Sequence, residues 1–97
     1  MSDKRVNLEV AKGVARRIQR FLAGLERARR QPNRREAYYI CTAMEHLQAG
    51  RVAESEEALR SAERLNPVPP DIAAQLSFNE TPTVEELRIA VDSLLAK

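Results

Sequence analysis

The chain has few of the residues on which catalytic, metal-binding and disulfide-rich proteins depend. Among its 97 residues there are one cysteine, one histidine and no tryptophan. A single cysteine cannot form an internal disulfide, and a lone histidine lacks the further ligands of a zinc site. No glycine-rich phosphate loop is present, and Cys41 and His46 point in different directions on one helix. The sequence therefore predicts no catalytic, cofactor-binding or metal-binding residues, and a protein that is not an enzyme.

Aromatic residues, glycines and long apolar runs are also scarce. The two tyrosines and two phenylalanines leave the core to Leu, Val, Ile and Ala, and three glycines with few β-branched runs favour helix over sheet. No apolar run approaches the length of a membrane span, and the N-terminus lacks the apolar segment of a secretory signal. These features predict one all-α domain over residues 1–97, located in the cytoplasm.

Charge is divided unevenly between the two parts of the chain. Residues 1–35 contain eleven basic and three acidic residues, a net charge of +8. Residues 36–97 contain five basic and eleven acidic residues, a net charge of −6. Such asymmetry indicates an acidic or anionic partner for the basic part. Alternatively, the two parts pack together and partly neutralise each other.

The basic part predicts a long amphipathic helix over residues 5–31, which ends before Pro32. At about 100° per residue, its apolar face consists of Val10, Val14, Ile18, Phe21, Leu22 and Leu25. The opposite face consists of Arg5, Lys12, Arg16, Arg20, Arg27 and Arg30. This helix supplies the candidate binding residues Arg16, Arg20, Arg27 and Arg30.

Residues 34–65 predict a hairpin of two amphipathic helices. Asn33 and Glu36 have the spacing of a capping box at the start, and Gly50 suits the left-handed position that ends a helix. The first stripe consists of Ala37, Ile40, Ala43, Met44 and Leu47, and the second of Val52, Ser55, Leu59, Ala62 and Leu65. Since each helix has one apolar side, the hairpin must bury that side against other elements.

The last third of the chain predicts a linker and one more helix. Residues 66–82 are rich in proline and form the linker, with a short helical turn over 71–76 and a loop from Ser77 to Thr81. Thr83 with Glu86 is a second capping box, which begins a helix over 83–96. The predicted architecture is thus a small bundle of about four helices.

The segment 36–67 resembles a single tetratricopeptide repeat, a helix–turn–helix of 34 residues with small residues where the helices cross and a terminal proline. The matching positions are Tyr39, Ala43, Gly50, Ala62, Leu65 and Pro67. The sequence departs from the family at Thr42, His46 and Ser55, where leucine, an aromatic residue and alanine are usual. The resemblance implies a scaffold for protein–protein contact. One repeat cannot cover its own faces, so flanking helices, a second copy or a partner must do so.

The arginine face of the first helix has three interpretations: a solvated surface, a site for an acidic protein surface, or a contact for nucleic acid or anionic lipid. Phe21 belongs to the apolar stripe, so no aromatic platform for stacking bases accompanies the arginines. Tyr38 must point away from Tyr39, and we expect it to be exposed as a further candidate contact.

We therefore expect a small cytoplasmic adaptor, chaperone-like or regulatory protein that binds a protein partner through its helical surfaces, with an acidic protein surface as one candidate. A homo-oligomer would also cover the apolar surface that a single repeat leaves open. The alternative is an accessory protein that binds nucleic acid through the basic helix, and an enzyme is the weakest interpretation.

Overall fold

The computed structural model describes residues 3–76 and 80–96, with side chains from Leu8 onward, and it is all-helical within these ranges. The five helices are α1 (Asp3–Arg27), α2 (Arg34–Gln48), α3 (Val52–Glu63), α4 (Pro70–Leu76) and α5 (Val84–Leu95). None of these described helices has the length and apolar character needed to cross a bilayer. The predicted all-α class is confirmed.

Four of the helices form a bundle. α1 packs against α3 and α5, and α2 packs against the same two helices, so that α3 and α5 flank the α1–α2 pair. The α2–α3 hairpin makes the most extensive of these contacts, as expected for neighbours joined by a short turn. The largest fully buried side chains come from all four helices: Ile18, Leu22, Ile40, Ser55, Leu59 and Val91. The predicted small helical bundle is therefore present.

The hairpin interior matches the sequence pattern closely. Leu59 and Ala62 of α3 share one buried cluster with Ile40 and Ala43 of α2, while Leu47 packs half-buried against its edge. Ser55 replaces the alanine that the tetratricopeptide pattern prefers, and its hydroxyl donates a 2.7 Å hydrogen bond to the carbonyl oxygen of Ala43. A buried hydroxyl is tolerated here because it has this partner.

The predicted end of the first helix is wrong by four residues. α1 stops at Arg27 because Arg29 takes a left-handed backbone conformation, with φ of 54°. The N–H groups of Arg29 and Arg30 then donate to the carbonyls of Glu26 and Leu25, which is a Schellman ending. Val10, expected on the apolar face, is 44% exposed because it lies in the first half of α1, beyond the buried cluster that begins at Val14.

Each hairpin helix is followed by a residue in the left-handed backbone conformation, but the residue type differs. Gly50 has φ of 81°, which confirms the predicted left-handed position after α2. Leu65 has φ of 62° after α3, and it is 71% exposed, so its predicted place in the apolar stripe is wrong. The left-handed turn rotates Leu65 away from the helix face that buries Leu59 and Ala62.

The linker contains the short helix α4, in agreement with the predicted turn over 71–76, although none of its residues is buried. The loop predicted from Ser77 lies partly outside the described residues. Thr83 caps the start of α5, and its side-chain oxygen accepts from the N–H of Glu86 at 3.2 Å. The helix spans Val84–Leu95, within one residue of the prediction at each end.

Candidate protein-interaction surfaces

Three of the predicted contact residues form one exposed row on α1. Arg16, Arg20 and Arg27 lie within about 40° of one another on the helix wheel, and all three are exposed. None of them makes an ion pair with any residue that the structure describes. We call this row the α1 arginine face.

Two arginines that join α1 to its neighbouring helices have acidic partners. Arg17, one residue from Arg16, reaches α3 and pairs with Glu56 at 3.2 Å and Glu63 at 3.4 Å. Arg88 of α5 pairs with Glu26 of α1 at 3.1 Å. The oppositely charged parts of the chain therefore neutralise each other in part, as one interpretation predicted, but they do so beside the α1 arginine face.

Arg30, the fourth candidate arginine, lies beyond the end of α1 and binds within the molecule. Its two terminal nitrogens donate to the two carboxylate oxygens of Glu36 at 2.7 and 2.8 Å. Glu36 is only 3% exposed, and it also accepts from the N–H of Asn33 at 2.9 Å. The hydrogen bonds from Arg30 are the main cause that lowers the pKa of the Glu36 carboxyl. Sequence reasoning missed this pair because it placed Arg30 on the helix.

Further polar contacts cluster at the same end of the bundle, where α1 and α3 finish and α2 and α5 begin. Arg35 donates to the carbonyls of Ser61 and Ala62 at 3.3 and 3.1 Å, and thereby covers the C-terminus of α3. The side-chain oxygen of Gln31 accepts from the first N–H of α5, at Val84 (2.9 Å). We call this the closed end of the bundle.

The opposite end of the bundle, the open end, has an apolar groove instead. Its volume is about 420 Å³, and we call it the α1–α5 groove. The residues that line it include Leu8, Ala11, Lys12, Leu47, Leu94 and Leu95. Leu47, Leu94 and Leu95 are half-buried at the edge of the core, and Leu8 is 52% exposed. Sequence reasoning placed Leu47 on the apolar stripe of the hairpin, which did not indicate that it also borders a groove.

Tyr38, the remaining candidate, is half-buried rather than exposed. It lines a smaller groove of about 180 Å³ on the outer side of α2, together with Cys41 and with Leu76 and Pro82 of the linker. Burial is the main cause that raises the pKa of the Cys41 thiol, so the reactive thiolate is disfavoured. Tyr39 packs against the core and donates from its hydroxyl to the carbonyl of Pro67 at 2.8 Å.

The single histidine is half-buried near the turn between α2 and α3. Its Nδ1 accepts a 2.9 Å hydrogen bond from Nε of Arg51. Across the described ranges, no three histidine, cysteine or acidic side chains lie close enough to hold a metal ion.

No protein-family model matches this chain, and no match was found among curated proteins or solved structures. The tetratricopeptide resemblance of residues 36–67 therefore remains a prediction, one whose helical hairpin is present.

Proposed function

We propose that this protein is a non-enzymatic interaction module of the cytoplasm, and that it binds an acidic surface of a protein partner through the α1 arginine face. The observation that carries the proposal is the contrast between neighbouring arginines. Arg17 and Arg88 are neutralised within the bundle, whereas Arg16, Arg20 and Arg27 remain exposed, in one row and without acidic partners among the described residues.

The position of this row favours a contact surface over a role in folding. The row lies opposite the buried side of α1, where Ile18 and Leu22 have no exposed area. Around it, the acidic side chains of Glu56 and Glu63 are engaged by Arg17. A local excess of positive charge attracts an acidic partner and orients it on approach.

Nucleic acid is the alternative partner for this row. The only aromatic residue within α1 is Phe21, which packs against the core, so stacking on bases is not available from this helix. Binding to phosphates would lose affinity steeply with salt, by a slope that reports the number of phosphates contacted. A salt titration therefore separates the two kinds of partner.

The test uses a partner isolated by affinity capture and then purified. The triple variant R16E/R20E/R27E should lose at least tenfold in affinity for that partner, measured by calorimetry. Its melting temperature should stay close to that of the parent, because exposed substitutions usually change the free energy of unfolding by less than about 0.5 kcal/mol each.

A matched control changes three exposed arginines that lie outside α1 and have no acidic partner among the described residues. R34E/R51E/R64E alters the net charge by the same amount and should bind the partner within twofold of the parent. Parental affinity in the α1 variant, or an equal loss in both variants, would contradict the proposal. A loss confined to the control would direct attention to α2 and Tyr38.

A further inference from the structure

The α1–α5 groove has the chemistry of a helix-binding groove. Leucine and alanine side chains from α1, α2 and α5 line it, and Lys12 and Gln48 are its two polar lining residues. A small-molecule site of similar size needs several convergent polar groups to orient its ligand. An amphipathic helix needs only an apolar groove for three or four side chains spaced at i, i+3 or i+4, and i+7.

The charge beside the groove limits which helix would fit. Lys12 lines the groove, and Arg16 and Arg20 continue along α1 from it at intervals of one helical turn. No ion pair involves these three residues in the described part of the chain. The nearby acids are Glu9 on α1 and Asp92 on α5, and Asp92 accepts a 2.6 Å hydrogen bond from Gln19. The edge along α1 is therefore predominantly positive.

A second copy of this chain fits the groove poorly. The exposed acids of α3, such as Glu54 and Glu57, have no exposed large apolar neighbours on their helix. The exposed acids of α5 accompany one large apolar residue, Ile89, which is 61% exposed, whereas a bound helix needs several such residues.

We infer that the α1–α5 groove binds an acidic amphipathic helix of another protein, which buries an apolar face against Leu8, Leu94 and Leu95 and directs its carboxylates toward Lys12 and Arg16. This inference rests on the proposed function and extends it, because it names the partner's structure and adds an apolar contact to the α1 arginine face.

The test uses a displayed library of 20-residue peptides with leucine fixed at i, i+3, i+4 and i+7 and the other positions varied among Glu, Lys, Gln, Ser and Ala. We expect glutamate to be enriched over lysine after selection on the intact protein. Enrichment of lysine, or no enriched sequence at all, would overturn the inference. Fluorescence anisotropy of an enriched peptide then gives affinities for variants.

Two pairs of variants test the apolar and the charged contact separately. Leu8→Ser and Lys12→Glu should each weaken peptide binding at least fivefold, while the controls Ile89→Ser and Arg64→Glu, away from the groove, should stay within twofold. Circular dichroism checks that all four keep their helical content. Equal affinities for Leu8→Ser and the parent would overturn the groove as the site.

Other outcomes distinguish this inference from the proposed function. Peptides that bind Leu8→Ser as tightly as the parent, but fail to bind R16E/R20E/R27E, would overturn the groove as the binding site. The α1 arginine face would then remain as the site of contact. A purified partner that binds R16E/R20E/R27E normally would refute the proposed function itself. A parent that sediments as a dimer, and becomes monomeric with Leu8→Ser, would identify a second copy as the occupant and overturn the inference.

Discussion

The two ends of the helix bundle differ in the side chains that cover them. At the closed end, side-chain hydrogen bonds satisfy helix termini and join the helices. They involve Arg30, Glu36, Arg35 and Gln31. At the open end, apolar side chains such as Leu8 border a groove, and the lining offers few polar groups. The hydrogen bonds of the closed end therefore join helices within the chain, whereas the open end leaves apolar surface such as Leu8 exposed.

The residues that end the helices also differ between the two ends of the bundle. The turn at the open end uses Gly50 in the left-handed region, where glycine has no steric penalty. At the closed end, α1 and α3 finish with Arg29 and Leu65 in that region, where a side chain costs about 1–2 kcal/mol. Backbone hydrogen bonds hold both endings in place, from the N–H of Arg29 to Glu26 and from the N–H of Asn66 to Ser61.

The largest expected change in the free energy of unfolding comes from substitutions in the buried layer between the two ends. Leu59→Ala should cost roughly 2–5 kcal/mol, because Leu59 is fully buried and its removal leaves a cavity. Ala62→Leu should cost about 1–3 kcal/mol by overpacking the α2–α3 crossing. Chemical denaturation measures both changes. Leu8→Ala at the open end serves as the control and should change the free energy of unfolding by less than about 0.5 kcal/mol. If Leu8→Ala destabilised the protein as much as Leu59→Ala, the contrast between the buried layer and the open end would be wrong.

The next-largest effect concerns the buried carboxylate of Glu36 at the closed end. Arg30→Ala should cost about 2 kcal/mol at neutral pH, because it leaves the Glu36 carboxylate with fewer hydrogen bonds to a charged partner. Glu36→Gln should also destabilise, although glutamine can retain the capping-box contact to Asn33.

The pH dependence of this effect follows from the lowered pKa of Glu36. A carboxyl with a lower pKa in the folded state adds stability above its ordinary value near 4.5, and this contribution is lost as the pH falls through the folded-state pKa. The difference in free energy of unfolding between the parent and Glu36→Gln should therefore shrink below about pH 4.5. A difference that stays constant from pH 7 to pH 3 would contradict a role for the charged pair.

The smallest effect concerns the strained helix endings. Leu65→Gly should stabilise the protein by up to about 1 kcal/mol, because relief of left-handed strain exceeds the entropy that glycine adds to the unfolded chain. Gly50→Ala should destabilise it by a similar amount, since alanine at φ of 81° introduces the same strain. Thermal melts of the two variants measure the contrast, and shifts in the same direction would contradict it.

Much of the fold follows from short-range patterns in the sequence. The capping box at Asn33 and Glu36 and the apolar spacing of Ile40, Ala43 and Leu59 predict the hairpin, because helix caps and helical periodicity are local properties. α5 follows from the cap at Thr83 in the same way. These elements were predicted within one or two residues.

The errors arise where long-range contacts decide local structure. Nothing in the residue types of Arg29 and Leu65 indicates a left-handed conformation, which glycine usually provides. The pairing of Arg30 with Glu36 depends on the angle between α1 and α2 after that turn. The α1–α5 groove likewise depends on how far α5 extends along α1, and periodicity does not fix that distance.

The position of Cys41 gives access to motions of the linker. It is the only cysteine of the chain, and its half-buried thiol lies in the groove between α2 and the linker residues Leu76 and Pro82. Burial raises the pKa of the thiol and so slows its reaction with thiol reagents, and movement of Leu76 and Pro82 away from α2 would increase the exposure of the thiol. A higher rate of labelling at this one site is therefore the expected result when the linker separates from the bundle, and it needs no introduced probe.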